Sequence, residues 1–335
     1  MSETSSDYII RPYQPGDEEH ICAVVRACYG DTYIAHKELY HPHQVARLNA
    51  SQRLVSIVAT TPAGEVIAHY AIERPDLGRI GETGEAMVHP DHRHHNIFEQ
   101  MRPVLVDAAH RLNMVGLFGM PVTNHTFSQR MYEHFDGYPC GLSLGMVPKE
   151  FHNLAEPLTQ RLSLLLYFQH LQKPDSVVLN VPRHHQEMVA STYAQFGITP
   201  VFPDPHPDED ATEEVDVQFF PEMKFGVIRV REAGPLSLNA IRRSQQSLIE
   251  GDGAEAVYLE LPLAQTTTST LCEAAEGLGF FFAGIGPNFA PDGDVLRLQY
   301  LTAPLDTGLL KINHPFAQKL VAYIESEQQR VAKGE

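Results

Sequence analysis

The residues best suited to chemistry are Met87-Val88-His89-Pro90-Asp91-His92-Arg93-His94-His95-Asn96-Ile97-Phe98 and the carboxylates just before them. An apolar strand ends at Val88, a short polar loop follows, and an amphipathic helix begins near Ile97. Such a strand, turn and helix N-terminus make a cradle for a pyrophosphate, because unpaired backbone N–H groups and the positive end of the helix dipole face the anion. Glu82 and Glu85 lie on the strand before the loop and Glu73 on the neighbouring strand. Each could take a proton from an attacking amine. Side chains alternate along a strand, so Glu82 and Glu85 are expected on opposite faces unless a bulge intervenes. Glu85 is the preferred base. The plain alternative is a solvated carboxylate on the sheet. A second strand–helix pair carrying Tyr132 follows, and the succession points to an enzyme using an acyl-CoA-like donor.

His89, His92, His94 and His95 crowd one loop with no accompanying Cys and no helical His pair, so no metal is expected there. Hydrogen bonding to donor phosphates, or a solvated turn, fits them better. The chain has 335 residues and a formal net charge of -17. That field repels nucleic-acid phosphates and anionic membranes, and it favours a cationic acceptor. An anionic donor would need Arg93 and the helix N-terminus to reverse the field locally. Cys22, Cys28, Cys140 and Cys272 form no metal-ligand spacing, so reduced thiols and a cytoplasmic location are expected. The N-terminus has no secretory pattern, and runs such as Leu164 to Phe168 are too short to span a bilayer. No Walker-type, G-x-S-x-G or H-E-x-x-H motif is present.

The elements that must hold these residues follow from hydrophobic periodicity and turn residues. Strands are expected at Tyr8 to Pro12, Leu54 to Thr60, Glu65 to Glu73, Arg79 to Val88, Val115 to Val122 and Leu142 to Val147. Helices are expected at Glu18 to Cys28, His43 to Asn49, Ile97 to Leu112 (with Pro103 as a kink) and Asn124 to Phe135. Beyond Pro148, strands are expected at Val177 to Val181, Phe225 to Val230, Ala256 to Leu261, Phe280 to Ile285 and Val295 to Leu301. Helices there are expected at Gln186 to Phe196, Leu236 to Ile249, Thr268 to Leu278 and His314 to Val331, with Pro203 to Asp216 a solvated loop. Tyr132 to Tyr138, Tyr193 to Ile198 and Ala275 to Phe280 each close a helix after an apolar strand, with Gly expected as the C-cap. Three ordinary capped helices, or a duplicated α/β unit, would both give this pattern.

Residues Tyr8 to Pro148 resemble the GNAT family of N-acetyltransferases in the order of their elements. Val88, Pro90 and Arg93 match that family's V-x-P-x-x-R-x-x-G-x-G/A donor loop, while Asn96 and Phe98 stand where two small residues usually lie. Asn tolerates the left-handed conformation and can keep the turn; Phe98 brings bulk to it. Asn124 and Tyr132 look like the Asn and Tyr of the family's later helix, with Asp136 as an extra residue before Gly137. The resemblance implies an α/β (α+β) fold, a GNAT-like mixed central sheet flanked by helices, with acetyl-CoA as co-substrate. It implies donor contacts from Met87, Val88, Arg93, His94, His95, Asn96, Ile97, Phe98 and Asn124, and Tyr132 as the acid that protonates the departing thiolate. The plain alternative for Tyr132 is a packed ring with a wet hydroxyl. Residues 149–335 resemble a degraded second copy, whose candidate loop Arg231-Glu-Ala-Gly-Pro235 lacks the spacing and whose Ala275 replaces the Tyr. The expected division is therefore 1–148, an acyltransferase domain, and 149–335, a degenerate one. The expected activity is N-acyl transfer to a small-molecule or peptide amine. The alternative is an inactive acyl-CoA-binding or protein-interaction module.

Overall fold

The computed structural model describes residues 8–31, 34–93, 96–150, 158–204, 212–234 and 236–334. The chain forms two compact units, Met1–Gly119 and Met120–Glu335. This division follows packing and falls ahead of the one expected at 148 from element order.

In the first unit the strands β1 (Ile9–Pro12), β2 (Leu54–Thr60), β3 (Val66–Glu73), β4 (Ile80–Val88) and β5 (Gly116–Gly119) lie side by side in that order. The first three pairings are antiparallel; β4 and β5 are parallel. The parallel pair needs a crossover, which α3 (Ile97–Arg111) supplies, running unbroken through Pro103. Helices α1 (Glu18–Tyr29) and α2 (Pro42–Ala50) are joined through a 3₁₀ segment, Ile34–Tyr40, that breaks at His36. Sequence periodicity missed that segment.

Alternation along β3 sorts the layers. Ala71 joins Ile21, Val24, Val25, Leu39 and Val45 in a core under α1 and α2. Its neighbour Tyr70 points to α3, where Phe98 and Arg102 meet it. With both faces covered, seven of the eight β3 residues are buried, a pattern of burial on both sides rather than one.

The second unit holds α4 (Phe127–His134), β6 (Tyr138–Val147), β7 (Leu162–His170), β8 (Ser176–Val178), α5 (Gln186–Phe196) and β9 (Thr199–Val201). It continues with β10 (Glu214–Phe220), β11 (Phe225–Glu232), α6 (Ser237–Gln246), β12 (Ala256–Pro262), α7 (Thr268–Glu276), β13 (Phe281–Ala290), β14 (Gly293–Leu301) and α8 (Pro315–Lys333). Its sheet order is β7-β6-β13-β14-β12-β11-β10, with β8 and β9 a separate parallel pair joined through α5. The β6–β13 junction is narrow. Gly284, at φ 129, faces Gly141 so closely that a Cβ there would lie 2.3 Å from the Gly141 Cα. Because β6 pairs with β7 and β13, residues 120–147 group with the later chain.

Within this unit β10 and β11 form an antiparallel hairpin, α6 crosses over, and β12 lies parallel to β11. In the first unit β3, β4, α3 and β5 do the same. The repeat of this motif supports duplication over three unrelated capped helices. Three strands went unforeseen. β7 is buried almost throughout and so lacks alternation, β9 is only three residues long, and β10 is an edge strand whose Glu214 and Asp216 belong to a stretch read as loop. Residues 205–211 of the expected loop lie outside the described residues.

One of the expected glycine caps is corrected. Gly197 caps α5 in the left-handed region and Gly279 (φ 90) turns the chain after α7, but after α4 Asp136 (φ 55) takes that role in place of Gly137. Gly137 is required for another reason: a Cβ there would meet the Tyr132 carbonyl oxygen at 2.9 Å.

Candidate active site

Strand β4 carries a bulge. His69 pairs with Met87 and Ala71 with Gly84, so β4 has one residue more than β3 between these points, and Glu85 sits at φ 52. The buried imidazole of His69 fixes it. Its Nδ1 lies 3.1 Å from the Glu85 carbonyl oxygen and its Nε2 2.9 Å from Ser56 Oγ. A carbonyl can only accept, so Nδ1 donates and Nε2 accepts from the Ser56 hydroxyl. Burial lowers the pKa of His69 and keeps that neutral tautomer.

The bulge removes the expected opposition of Glu82 and Glu85. Glu82 pairs with Glu73 across the ladder, so the two share a face. Glu85 joins that face: its carboxylate and that of Glu73 both reach the ring of His36. His36 Nδ1 lies 3.4 Å from Glu85, 3.5 Å from Glu73 and 3.5 Å from Glu38. Burial opposes a charge on His36, but the carboxylates of Glu38, Glu85 and Glu73 outweigh it and push its pKa up to about 11. Burial, and then the Glu85 charge, push Glu73 up to about 8. Glu38 goes the other way: burial would raise it, and contact with His36 brings it below the ordinary value.

Glu85 is 4% exposed, and neither carboxylate oxygen has a hydrogen-bond partner among the described residues. Buried carboxylates ordinarily hold several such bonds. Of these groups, sequence reasoning named Glu73, Glu82 and Glu85 but missed His36, Glu38 and His69. A His at a core-facing position of an otherwise apolar strand was the available signal for His69.

β4 ends two residues beyond Ala86, with Met87 buried in the core and Val88 half-buried. The turn that follows holds a 3₁₀ segment, Pro90–His92, capped by His89. His92 packs its ring against Tyr8 and His89, and its Nδ1 is 3.2 Å from the Tyr8 hydroxyl. Arg93 is exposed and turned back, with Nε 3.5 Å from the Val88 carbonyl oxygen. His94 and His95 lie outside the described residues. Asn96 sits in the left-handed region at φ 50, ψ 35 and its side chain makes no capping bond, so it turns the chain into α3 without filling the first-turn donors. Ile97 is buried. Phe98, which brings bulk to the sequence motif, turns its ring edge-on to Tyr70 at 5.9 Å, into the packing of α3 on the sheet.

Asn124 and Tyr132 belong to the second unit. Asn124 Oδ1 is buried with no hydrogen-bond partner among the described residues, and the residue precedes α4 instead of opening it. Tyr132 is half-buried on α4 and stacks on Tyr167 at 5.8 Å. Tyr167 in turn donates to Glu133 Oε1 at 2.8 Å.

The turn Arg231–Ser237 lies between β11 and α6, the counterpart of the Val88–Ile97 turn. Several of its groups are hydrogen-bonded. The Ala233 N–H donates to Gln265 Oε1, the Gly234 N–H to Ser237 Oγ, and the Gln265 amide and Thr267 hydroxyl donate to the carbonyls of Arg231 and Ala233. Ala275 is buried on α7. The unit also holds a second cluster of imidazoles and carboxylates. Glu276 Oε1 receives Arg330 at 2.7 Å and His184 and His185 at 3.0 Å each. Glu327 receives Arg330 at 2.7 Å, and His185 Nδ1 lies 2.8 Å from the Tyr323 hydroxyl. Burial would raise the pKa of Glu276, but His184, His185 and Arg330 hold it far below the ordinary range.

The four cysteines are free thiols. No helix among the described residues is long and apolar enough to cross a membrane.

No family model matches the sequence, and no curated protein matches it. Among solved structures, the chain is similar to an N-acetyltransferase from Staphylococcus aureus Mu50, with a TM-score of 0.40 and 15% identity over 50% of this chain and 100% of that one. It is similar to the ribosomal-protein-S18-alanine N-acetyltransferase of Escherichia coli, with a TM-score of 0.39 and 11% identity over 50% and 96%. The ribosomal-protein-alanine N-acetyltransferase of Brucella melitensis gives a TM-score of 0.39 and 18% identity over 49% and 99%.

Proposed function

We propose that the protein is an acyl-CoA-dependent N-acyltransferase, with acetyl-CoA as donor and an amine as acceptor. The observation that carries this reading is the Glu85 carboxylate. A bulge lifts it, buried and without hydrogen bonds, on the same strand that ends at the α3 turn. This supports reading Glu85 as a proton acceptor on the strand that leads to a helix N-terminus able to hold a pyrophosphate. The acidic surroundings of Glu73, Glu82 and Glu38 suit an acceptor that arrives as a cation.

In the proposed reaction Glu85 accepts a proton from the ammonium group, directly or through water. The freed amine attacks the thioester carbonyl, the C–N bond forms, the C–S bond breaks as the thiolate leaves, and the excess proton still on the nitrogen passes through water to the tyrosinate left once Tyr132 has protonated the sulfur. Met87, Val88, Arg93, His94, His95, Asn96, Ile97, Phe98 and Asn124 are the proposed donor contacts, together with the α3 N–H groups. Tyr132 is proposed, on the family resemblance, to protonate the leaving sulfur. The division into an acyltransferase domain, 1–148, and a degenerate one, 149–335, belongs to the same proposal, as does a cytoplasmic location.

Thiol release from acetyl-CoA with a panel of primary amines tests the reading. Glu85→Gln is expected to lower kcat/KM by about 10³-fold and Tyr132→Phe by about 10²-fold. A Tyr132→Phe enzyme at full rate removes the acid. Thermal stabilisation by acetyl-CoA with no turnover on any amine replaces the enzyme by an acyl-CoA-binding module.

A further inference from the structure

The four side chains His36, Glu38, Glu73 and Glu85 converge from three separate stretches of the first unit, and their donor atoms all lie within 4.8 Å of one another. In a tetrahedral zinc site with bonds of about 2.0–2.2 Å, neighbouring donors are about 3.3–3.6 Å apart. His36 Nδ1 stands 3.4 to 3.5 Å from an oxygen of each of the three carboxylates. Three edges of the tetrahedron are therefore already at the right length. Glu85 supplies an independent sign. Both its oxygens are shielded from solvent and lack hydrogen bonds among the described residues, although the residue is 96% buried by difference from its 4% exposure. A ligand that accepts a buried carboxylate's lone pairs would satisfy it. The other side is open: the side chains of Glu38 and Glu73 are 31% and 28% exposed, so an ion has a way in.

We propose that His36, Glu38, Glu73 and Glu85 bind one divalent transition-metal ion of the zinc class, and that the ion holds the transferase off by occupying Glu85. The ion displaces the proton from His36 Nδ1 and takes its place among the carboxylates, and one imidazole nitrogen with three carboxylate oxygens suits Zn²⁺ or Mn²⁺ better than a thiol-seeking ion. The binding depends only on this geometry; its effect on transfer rests on the reading of Glu85 as the base. Spacing along the sequence hides the site, because one ligand sits at the break in a 3₁₀ segment, a second lies two residues on, and the others sit on separate strands.

The test is titration of chelator-treated protein with Zn²⁺ by calorimetry and with Co²⁺ by visible absorption. One tight equivalent and the intense bands of four-coordinate Co²⁺ are expected. Glu38→Gln and Glu73→Gln, at part-exposed positions that tolerate change, should weaken that equivalent by about 100-fold or more. His184→Gln in the second unit should leave it intact. Absence of the four-coordinate spectrum, unaltered affinity in Glu38→Gln and Glu73→Gln, or loss of the tight equivalent in His184→Gln overturns the site. Acetyl transfer measured with and without one equivalent of Zn²⁺ separates the two readings. Suppression reversed by chelator supports the switch. Tight binding with undiminished transfer leaves the ion site standing and overturns both the switch and Glu85 as base.

Discussion

The two strand-to-helix turns share a topology and differ in what they leave open. After β11 the Ala233 and Gly234 N–H groups donate to Gln265 and Ser237, and the Arg231 and Ala233 carbonyls accept from Gln265 and Thr267. Before α3, Asn96 lies in the left-handed region and its side chain makes no capping bond. The two imidazole–carboxylate clusters differ in the same sense. Glu276 meets one guanidinium and two imidazoles at 2.7 to 3.0 Å, whereas Glu85 faces two imidazoles at 3.4 and 3.8 Å and has no hydrogen bond among the described residues. Saturated groups stabilise a fold; unsaturated buried groups raise its free energy unless something else binds them. A duplicated architecture therefore need not duplicate a function, and the difference lies in individual hydrogen bonds.

Isosteric neutralisation should break the comparison most sharply. Glu276→Gln removes the charge that holds Arg330 and the two histidines, and should cost about 3 kcal/mol in denaturant unfolding. Glu85→Gln removes a buried charge that lacks hydrogen bonds among the described residues but faces His36 at 3.4 Å; the desolvation regained and the attraction lost offset each other, so stability should change by no more than about 1 kcal/mol while transfer collapses. Equal destabilisation by both substitutions would make the Glu85 cluster structural, like its counterpart.

The two clusters should also respond oppositely to pH. The Glu276 carboxyl is held below its ordinary value of 4.5, so its contribution is present above about pH 4.5 and is lost as pH falls from there. Glu73 is raised from 4.5 to about 8. The folded chain then keeps a proton that the unfolded chain has lost, and stability falls as pH rises toward 8. His36, raised from 6.5 to about 11, adds in the same direction above pH 6.5. His69, lowered by burial, acts only below that value. With chelator present, hydrogen exchange corrected for intrinsic rate should show β4 amides losing about 1 kcal/mol of protection between pH 6.5 and 8. Amides of α8 should hold steady there and weaken below about pH 4.5. A β4 slope that survives Glu73→Gln undiminished would remove Glu73 from this account.

Much of the scaffold was legible from the chain because periodicity is a local signal. The strand Leu54–Thr60 and the helix Gln186–Phe196 coincide with their expected bounds, and the helix at Ile97 begins where the pattern starts. β7 was not legible, since a strand covered on both faces shows no alternation. The site was half legible. Glu85 could be chosen by its place before the loop, but its orientation depended on a bulge set by His69, a contact across strands. His36 entered from a segment with no periodicity at all. The hydrogen bonding of the second turn was equally hidden, because Gln265 and Thr267 come from beyond β12.

The smallest expected effect concerns Asn96, where the sequence departs from a glycine pattern yet the backbone still reaches φ 50, ψ 35. If the turn needs only that conformation, glycine should replace asparagine within about 1 kcal/mol, since glycine enters the left-handed region without strain but loses more entropy on folding. A β-branched residue cannot enter it cheaply. Asn96→Val should cost about 1–2 kcal/mol and raise the KM for acetyl-CoA several-fold with kcat little altered, because the donor's grip and not the chemistry depends on the bend. A fall in kcat with KM unchanged would mean that the turn before α3 shapes the reacting centre, and the contrast with the filled turn after β11 would then be one of catalysis and not of binding.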